Sequence, residues 1–117
     1  MTLLFSTSTE LLRVPAEAVT CIMADGNYSS LIMADGVEYV LTMQLGNIER
    51  RIAETINGDN MFIRIGKSLI VNRHYITLIN PARQRIVLSD CRNFRRELSA
   101  SKEALKSLKE YLEKDNI

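Results

Sequence analysis

The sequence predicts a mostly β fold of small antiparallel sheets, with one helix in mid-chain and one at the C-terminal end. Two observations carry this. Short runs of β-formers recur along the chain and break at turn signals such as Asp25-Gly26, Asp35-Gly36 and Asn80-Pro81. Helical periodicity appears in only two stretches. Long alternating strand-helix units are absent, which argues against a doubly wound sheet.

Val19 to Met23 is a short apolar run that ends at Ala24-Asp25-Gly26-Asn27. Tyr28 to Met33 follows and closes at Asp35-Gly36, and Val37 to Leu41 forms a third run. Asp-Gly supplies the positive φ that tight hairpins require, so these runs predict a three-stranded antiparallel meander. The period then changes. Leu45, Ile48, Ile52 and Ile56 recur at helical spacing, with Glu49, Arg50, Arg51 and Glu54 opposite them. A helix over Met43 to Ile56 is expected to lie on the sheet, with Thr42 as N-cap and Asn57-Gly58 as its stop.

Met61 to Ile65 resumes the strand pattern, with Ile63 and Ile65 on one face and Arg64 on the other. Ser68 to Asn72 reads equally as a strand or a short helical turn. Ile76 to Ile79 and Arg85 to Ser89 form a hairpin about Asn80-Pro81-Ala82-Arg83, where proline suits a turn. Arg92 to Leu98 reads as another short strand. From Ser99 or Ser101, Leu105, Leu108, Tyr111 and Leu112 mark a final amphipathic helix to about Lys114.

The 117 residues suit one domain, and 46% hydrophobic with 25% charged residues is an ordinary globular composition. No apolar run is long enough to cross a bilayer, and the first residues lack a basic segment before an apolar one, so the expectation is a cytoplasmic protein. The net charge of +1 does not by itself point to nucleic acid. Its distribution is more informative, because Arg64, Lys67, Arg73, Arg83, Arg85, Arg92, Arg95, Arg96 and Lys102 crowd the second half. That pattern gives either a modest basic face or solvated surface charges.

Catalytic and metal motifs are missing. There is no GxSxG, P-loop, GxGxxG or HExxH, and Asp25 and Asp35 are explained by the glycines beside them. His74 is the one histidine, and Cys21 and Cys91 are far apart, so no zinc pattern arises and both thiols are expected to be free, Cys21 in a buried strand. No cofactor, metal site or enzymatic activity is expected.

One stretch is specific. Phe62, Arg64, Ser68, Leu69, Ile70, Val71, Asn72 and Ile76 fall in the register of Phe-x-Arg-x-His-x-Ser-hydrophobic-hydrophobic-Val-Asn-x-x-x-Ile. Upstream, Cys21 to Tyr28 reads CIMADGNY, close to the end of a strand of the form Ile-x-Tyr-Ile-x-Ala-x-Gly-Asn-Tyr. The chain thereby resembles the LytTR family of DNA-binding domains over about Val14 to Leu98, and the strands and helix come in that family's order. The resemblance implies an elongated β sandwich that binds duplex DNA through loops entering successive major grooves, commonly at paired direct repeats. With Met1 in place and no receiver domain, a stand-alone regulator is expected.

It also implies site residues. Asn27, Tyr28 and Ser29 fall in the loop after the family's first strand, Lys67 precedes the signature serine, and Ser68 is that serine. A lysine such as Lys67 can donate to guanine or to a phosphate, and only base contacts specify sequence. Asn72 is expected to tie down local backbone. Lys102 stands near the family's late Ser-x-Arg motif, and Arg92 and Arg95 are candidates for phosphate contacts. The chain departs from the pattern at Gly66, where the signature has histidine, and at the late arginine. These departures leave room for a second reading, a protein-interaction or homodimerisation module, in which the stripe Leu105, Leu108, Leu112 packs on a partner.

Overall fold

The computed structural model describes residues 1–56, 58 and 60–115. It opens with a hairpin that the sequence reading did not identify, β1 (Thr2–Ser6) and β2 (Leu11–Pro15). Leu3 and Phe5 point to one face of β1 and are buried, while Leu4 between them is exposed. Thr7 shapes the turn: its Oγ1 accepts the Glu10 backbone N–H at 3.0 Å.

The predicted meander is present as β3 (Val19–Asp25), β4 (Tyr28–Met33) and β5 (Glu38–Leu41). It is part of a larger sheet. After α1 (Leu45–Thr55), β6 (Phe62–Ile65) and β7 (Leu69–Asn72) return as a hairpin, and β7 pairs with β3. The result is a five-stranded antiparallel sheet in the order β5-β4-β3-β7-β6. Residues 69–72, open between strand and helical turn in the sequence, are strand because they fill the slot beside β3.

A second antiparallel sheet, ordered β10-β9-β8, consists of β8 (Ile76–Asn80), β9 (Arg85–Ser89) and β10 (Arg95–Ser99). The chain ends in α2 (Lys102–Asp115). The large sheet is covered on both faces, and successive residues serve opposite cores. Ile22, Leu31 and Ile70 face β1, β2 and α1, with Leu3, Phe5, Ile48 and Ile52. Cys21, Ile32 and Val71 face the smaller sheet and α2, with Ile86, Leu88, Leu105 and Leu108. Burial on both faces explains why its central strands read as unbroken apolar runs instead of alternating ones.

Three local expectations change. Thr42 does not cap α1; the helix begins at Leu45 with Gln44 in the N-cap position, its carbonyl accepting from Ile48 N–H. The reason is β5, which stays paired to Leu41 opposite Ser29 and leaves residues 42–44 as a link. Asn57 of the expected stop lies outside the described residues, and Gly58 has φ +80°. The strand expected over Arg92 to Leu98 starts only at Arg95, because Asp90 folds the preceding segment into a loop. At the last helix, Ser101 is the cap: its Oγ accepts Ala104 N–H at 3.1 Å, whereas Ser99 belongs to β10.

The α2 stripe also has a definite place. Leu105 and Leu108 are buried in the chain's own second core, with Leu112 packed against it. That apolar surface is not available to a partner.

Candidate nucleic-acid interface

Antiparallel pairing sorts the connecting loops onto two ends of the sandwich. Met23 lies opposite Leu69, so the β3–β4 turn and the β6–β7 turn are neighbours at one end. Leu41 opposite Ser29 brings the 42–44 link and the start of α1 to that end as well. Ala104 and Ser107 of α2 line a cleft with Ile63 to Gly66, while Asp115 pairs with Arg73 at 2.7 Å beyond the far end of β7. Lys102 therefore enters α2 at the end that carries Gly66.

The β6–β7 turn, Gly66-Lys67-Ser68, is held from below by Arg64. Its Nε donates to the Gly66 carbonyl at 3.0 Å and its Nη2 to the Lys67 carbonyl at 2.9 Å. Its Nη1 meets Glu49 Oε1 of α1 at 2.8 Å. One guanidinium thus fixes the hairpin tip to the helix, and its planar fork suits that task. Gly66 has φ +62°, a left-handed conformation in which the histidine of the resemblance would be strained. The Ser68 carbonyl accepts Ala24 N–H at 2.8 Å and joins this turn to β3.

The sequence-derived site residues divide accordingly. Asn27 and Tyr28 are exposed at this end, Tyr28 at 50%. Gln44 Nε2 reaches Asn27 Oδ1 at 3.5 Å and braces that turn against the α1 link. Lys67, Ser68 and Lys102 are exposed beside them, and neither lysine has an ion pair among the described residues. Asp25 and Glu103 are also exposed here, so the end is mixed in charge with cations at its loop tips.

Ser29 is different. It is fully buried and its hydroxyl donates to the Met43 carbonyl at 2.8 Å, so it supports the turn from inside and is not positioned to touch a ligand. Arg92, on the loop between β9 and β10, and Arg95, the first residue of β10, lie at the opposite end, where that loop packs near Ala34 to Gly36. Arg95 further has Glu97 at 3.9 Å. The structure does not bring these two arginines together with Lys67.

That far loop is organised by Asp90, whose Oδ1 accepts backbone N–H groups of Arg92, Asn93 and Phe94 at 2.9, 3.0 and 2.9 Å. The bond from Phe94, with those from Arg92 and Asn93, holds the Asp90 carboxyl below its ordinary range. A depressed folded-state value contributes stability above the unfolded value, and this is lost as pH falls through the folded one. Asp90→Asn is accordingly expected to lower the melting temperature at pH 7, with the gap to the parent narrowing toward about pH 3. An equal gap at both values, read by circular dichroism, would exclude this role.

Asn72, expected to secure local backbone, is fully buried and does so. Its Nδ2 donates to the Val19 carbonyl at 2.9 Å and its Oδ1 accepts His74 N–H at 3.0 Å. Cys21 is buried, and burial pushes its thiol above the usual range; Cys91 is exposed, and neither forms a disulfide. Among the described residues no cluster of acidic, histidine and cysteine side chains is placed to hold a metal, and no helix is long and apolar enough to cross a membrane.

Two features of the loop end are not legible along the sequence. Arg64 reads as one face of a strand, and nothing local announces its bonds to Gly66 and Lys67. Asn80-Pro81-Ala82-Arg83 reads as a turn, but only the sheet order reveals that it lies beside the entry to α2.

The chain is thus a mostly β domain with the exposed polar side chains of Asn27, Tyr28 and Ser68 and the cations Lys67 and Lys102 gathered at one end. The profile of the LytTr DNA-binding domain family matches residues 9–113, nearly the whole chain, and the chain belongs to that family. It is a family of DNA-binding domains and not of enzymes. Among solved structures, the chain is similar to a LytTr DNA-binding domain from a Bacillus cereus protein described as a putative methyl-accepting/DNA response regulator. The two share 20% identity with a TM-score of 0.62, and the match covers 95% of each chain. At that identity the likeness speaks for the fold. No curated protein sequence matches.

Proposed function

We propose that this domain binds duplex DNA sequence-specifically as part of a transcriptional regulator acting in the cytoplasm. The observation that carries the reading is the gathering of Asn27, Tyr28, Lys67, Ser68 and Lys102 at one end of the sandwich. The β3–β4 and β6–β7 turns are centred two strands apart, about 10 Å at ordinary strand spacing. A major groove is about 12 Å wide, so the pair of tips fits one groove and the phosphates beside it. Lys67 and Asn27 carry the donors suited to base edges, while Ser68 and Lys102 carry those suited to phosphate. Two copies on paired direct repeats would extend the contact, as the family resemblance implies.

Binding of a labelled duplex pool, with selection from random sequence and titration of salt, tests this. The apparent affinity is expected to fall steeply with salt, and Lys102→Ala to reduce the slope of log K against log salt by about 0.9. Lys67→Ala is expected to change the selected sequence as well, with a loss of about 1–3 kcal/mol on the preferred site. Failure to bind any duplex at low salt would sink the reading.

The protein-interaction reading keeps one specific surface. Leu11, Tyr39 and Val40 are exposed along a groove between β2 and the edge strand β5. It no longer has the α2 stripe.

A further inference from the structure

The turn between β8 and β9 extends the DNA-binding end, and a role for it there rests on the DNA reading itself. Asn80 pairs with Arg85 across it, leaving Pro81, Ala82, Arg83 and Gln84 as the loop. The loop is well held: Arg83 N–H donates to Asn80 Oδ1 at 3.1 Å and Gln84 N–H to the Pro81 carbonyl at 3.0 Å. β10 lies at one edge of its sheet and β8 at the other, yet α2, which directly follows β10, packs beside β8. The connection must therefore cross the end of the sheet past this turn. The crossing is marked by Ala100 N–H, which donates to the Gln84 carbonyl at 3.3 Å. Arg83 and Gln84 thus share the end that displays Lys102, Lys67 and Asn27.

Two properties of these residues point outward. Arg83 is exposed and has no ion pair among the described residues, unlike Arg64, Arg73, Arg85 and Arg95, each of which meets a carboxylate. Gln84 holds φ +53°, a conformation that glycine adopts without strain and a longer side chain does not. For folding alone, glycine is the better residue there. A strained position that keeps an exposed amide beside an unpaired guanidinium is the kind of local conflict that function explains.

We infer that the β8–β9 turn is an additional DNA-contact loop, with Arg83 on a backbone phosphate and the Gln84 amide hydrogen-bonded beside it. A phosphate contact positions the protein without reading sequence, so its loss weakens all duplexes alike.

The test compares the parent with Arg83→Ala, Arg83→Lys, Gln84→Gly and, at the opposite end, Arg92→Ala, by fluorescence anisotropy on a selected duplex and a scrambled one across a salt series. Arg83→Ala is expected to reduce the log–log salt slope by about 0.9 and to weaken binding roughly 5- to 10-fold at about 0.1 M salt, equally on both duplexes. Arg83→Lys should restore the slope, and Arg92→Ala should leave it unchanged. Gln84→Gly should bind more weakly with a melting temperature no lower than the parent's, which a merely structural role would not produce. If the parent binds steeply with salt and Arg83→Ala keeps the full slope, the turn is excluded while the DNA reading stands. If the parent binds no duplex, both fall.

Discussion

Replacing Asn72 by alanine is expected to destabilise the domain by about 2–4 kcal/mol, because the buried Val19 carbonyl and the His74 N–H lose their partner together. The Val19 carbonyl and the His74 N–H both depend on this one side chain, and Asn72 is fully buried among them. The Val19 carbonyl, left unpaired in a buried site, has no water to turn to, and the methyl of alanine leaves a void besides, whereas the N–H of exposed His74 adds less. For a domain of this size the loss corresponds to a drop of roughly 10–20 °C in melting temperature. Asn72→Asp sharpens the test. The carboxylate still accepts from His74 N–H, but it replaces the donor facing the Val19 carbonyl and brings a charge into a buried site. Burial raises the pKa of such a group, so its penalty is full at neutral pH and shrinks as pH falls and the acid form donates again. Thermal and urea unfolding would measure both variants. Melting of Asn72→Ala within a few degrees of the parent would show that the side chain does not hold β7 to β3.

The same residue shows how much of the molecule was legible. Asn72 belongs to a motif most of whose other members, Phe62, Leu69, Ile70, Val71 and Ile76, pack or pair β6, β7 and β8, with Arg64 bracing the turn and only Ser68 exposed at its tip. The motif therefore reports a fold, and the fold class, both helices and most strands follow from it and from the turn signals. What the sequence withheld is long-range. Nothing local says that β7 slots beside β3, so residues 68–72 stayed open between two conformations until the partner strand decided them. The hairpin of residues 2–15 has the right alternation over only a few positions, too short a run to stand out before its cover over α1 and β3 is known. Candidate contacts fared by the same rule. Asn27, Tyr28, Lys67, Ser68 and Lys102 converge because antiparallel register puts alternate connections at one end. Arg92 and Arg95 are equally basic in composition but fall on the other parity of connections. Ser29 is the second residue of β4, one step past exposed Tyr28, and that single step takes it from the surface into the core. Charge and polarity can be read along a chain; which end of a sheet a loop occupies depends on the count of strands between.

Arg64 is where fold and proposed function meet, and its removal is expected to weaken DNA binding far more than it weakens the fold. The ion pair with Glu49 is half exposed, and pairs of that kind contribute about 0–1 kcal/mol. Stability should thus fall only modestly in Arg64→Ala. The bonds to the Gly66 and Lys67 carbonyls act differently, since they fix a tip that must meet DNA in one conformation. Released, each tip residue regains about 1–2 kcal/mol of backbone freedom, which binding must then remove. Even one residue freed corresponds to roughly a tenfold loss of affinity, at about 1.4 kcal/mol per factor of ten. Arg64→Lys discriminates between charge and geometry: it keeps the cation yet cannot make the forked contacts, so it should bind nearly as weakly as Arg64→Ala. Because Lys67 and Lys102 remain, both variants should retain the parent's salt slope while their affinity drops at every salt concentration, a pattern opposite to that of a lost phosphate contact. Arg64→Lys binding as tightly as the parent would show that the tip is ordered without the fork, and that Arg64 belongs to the fold alone.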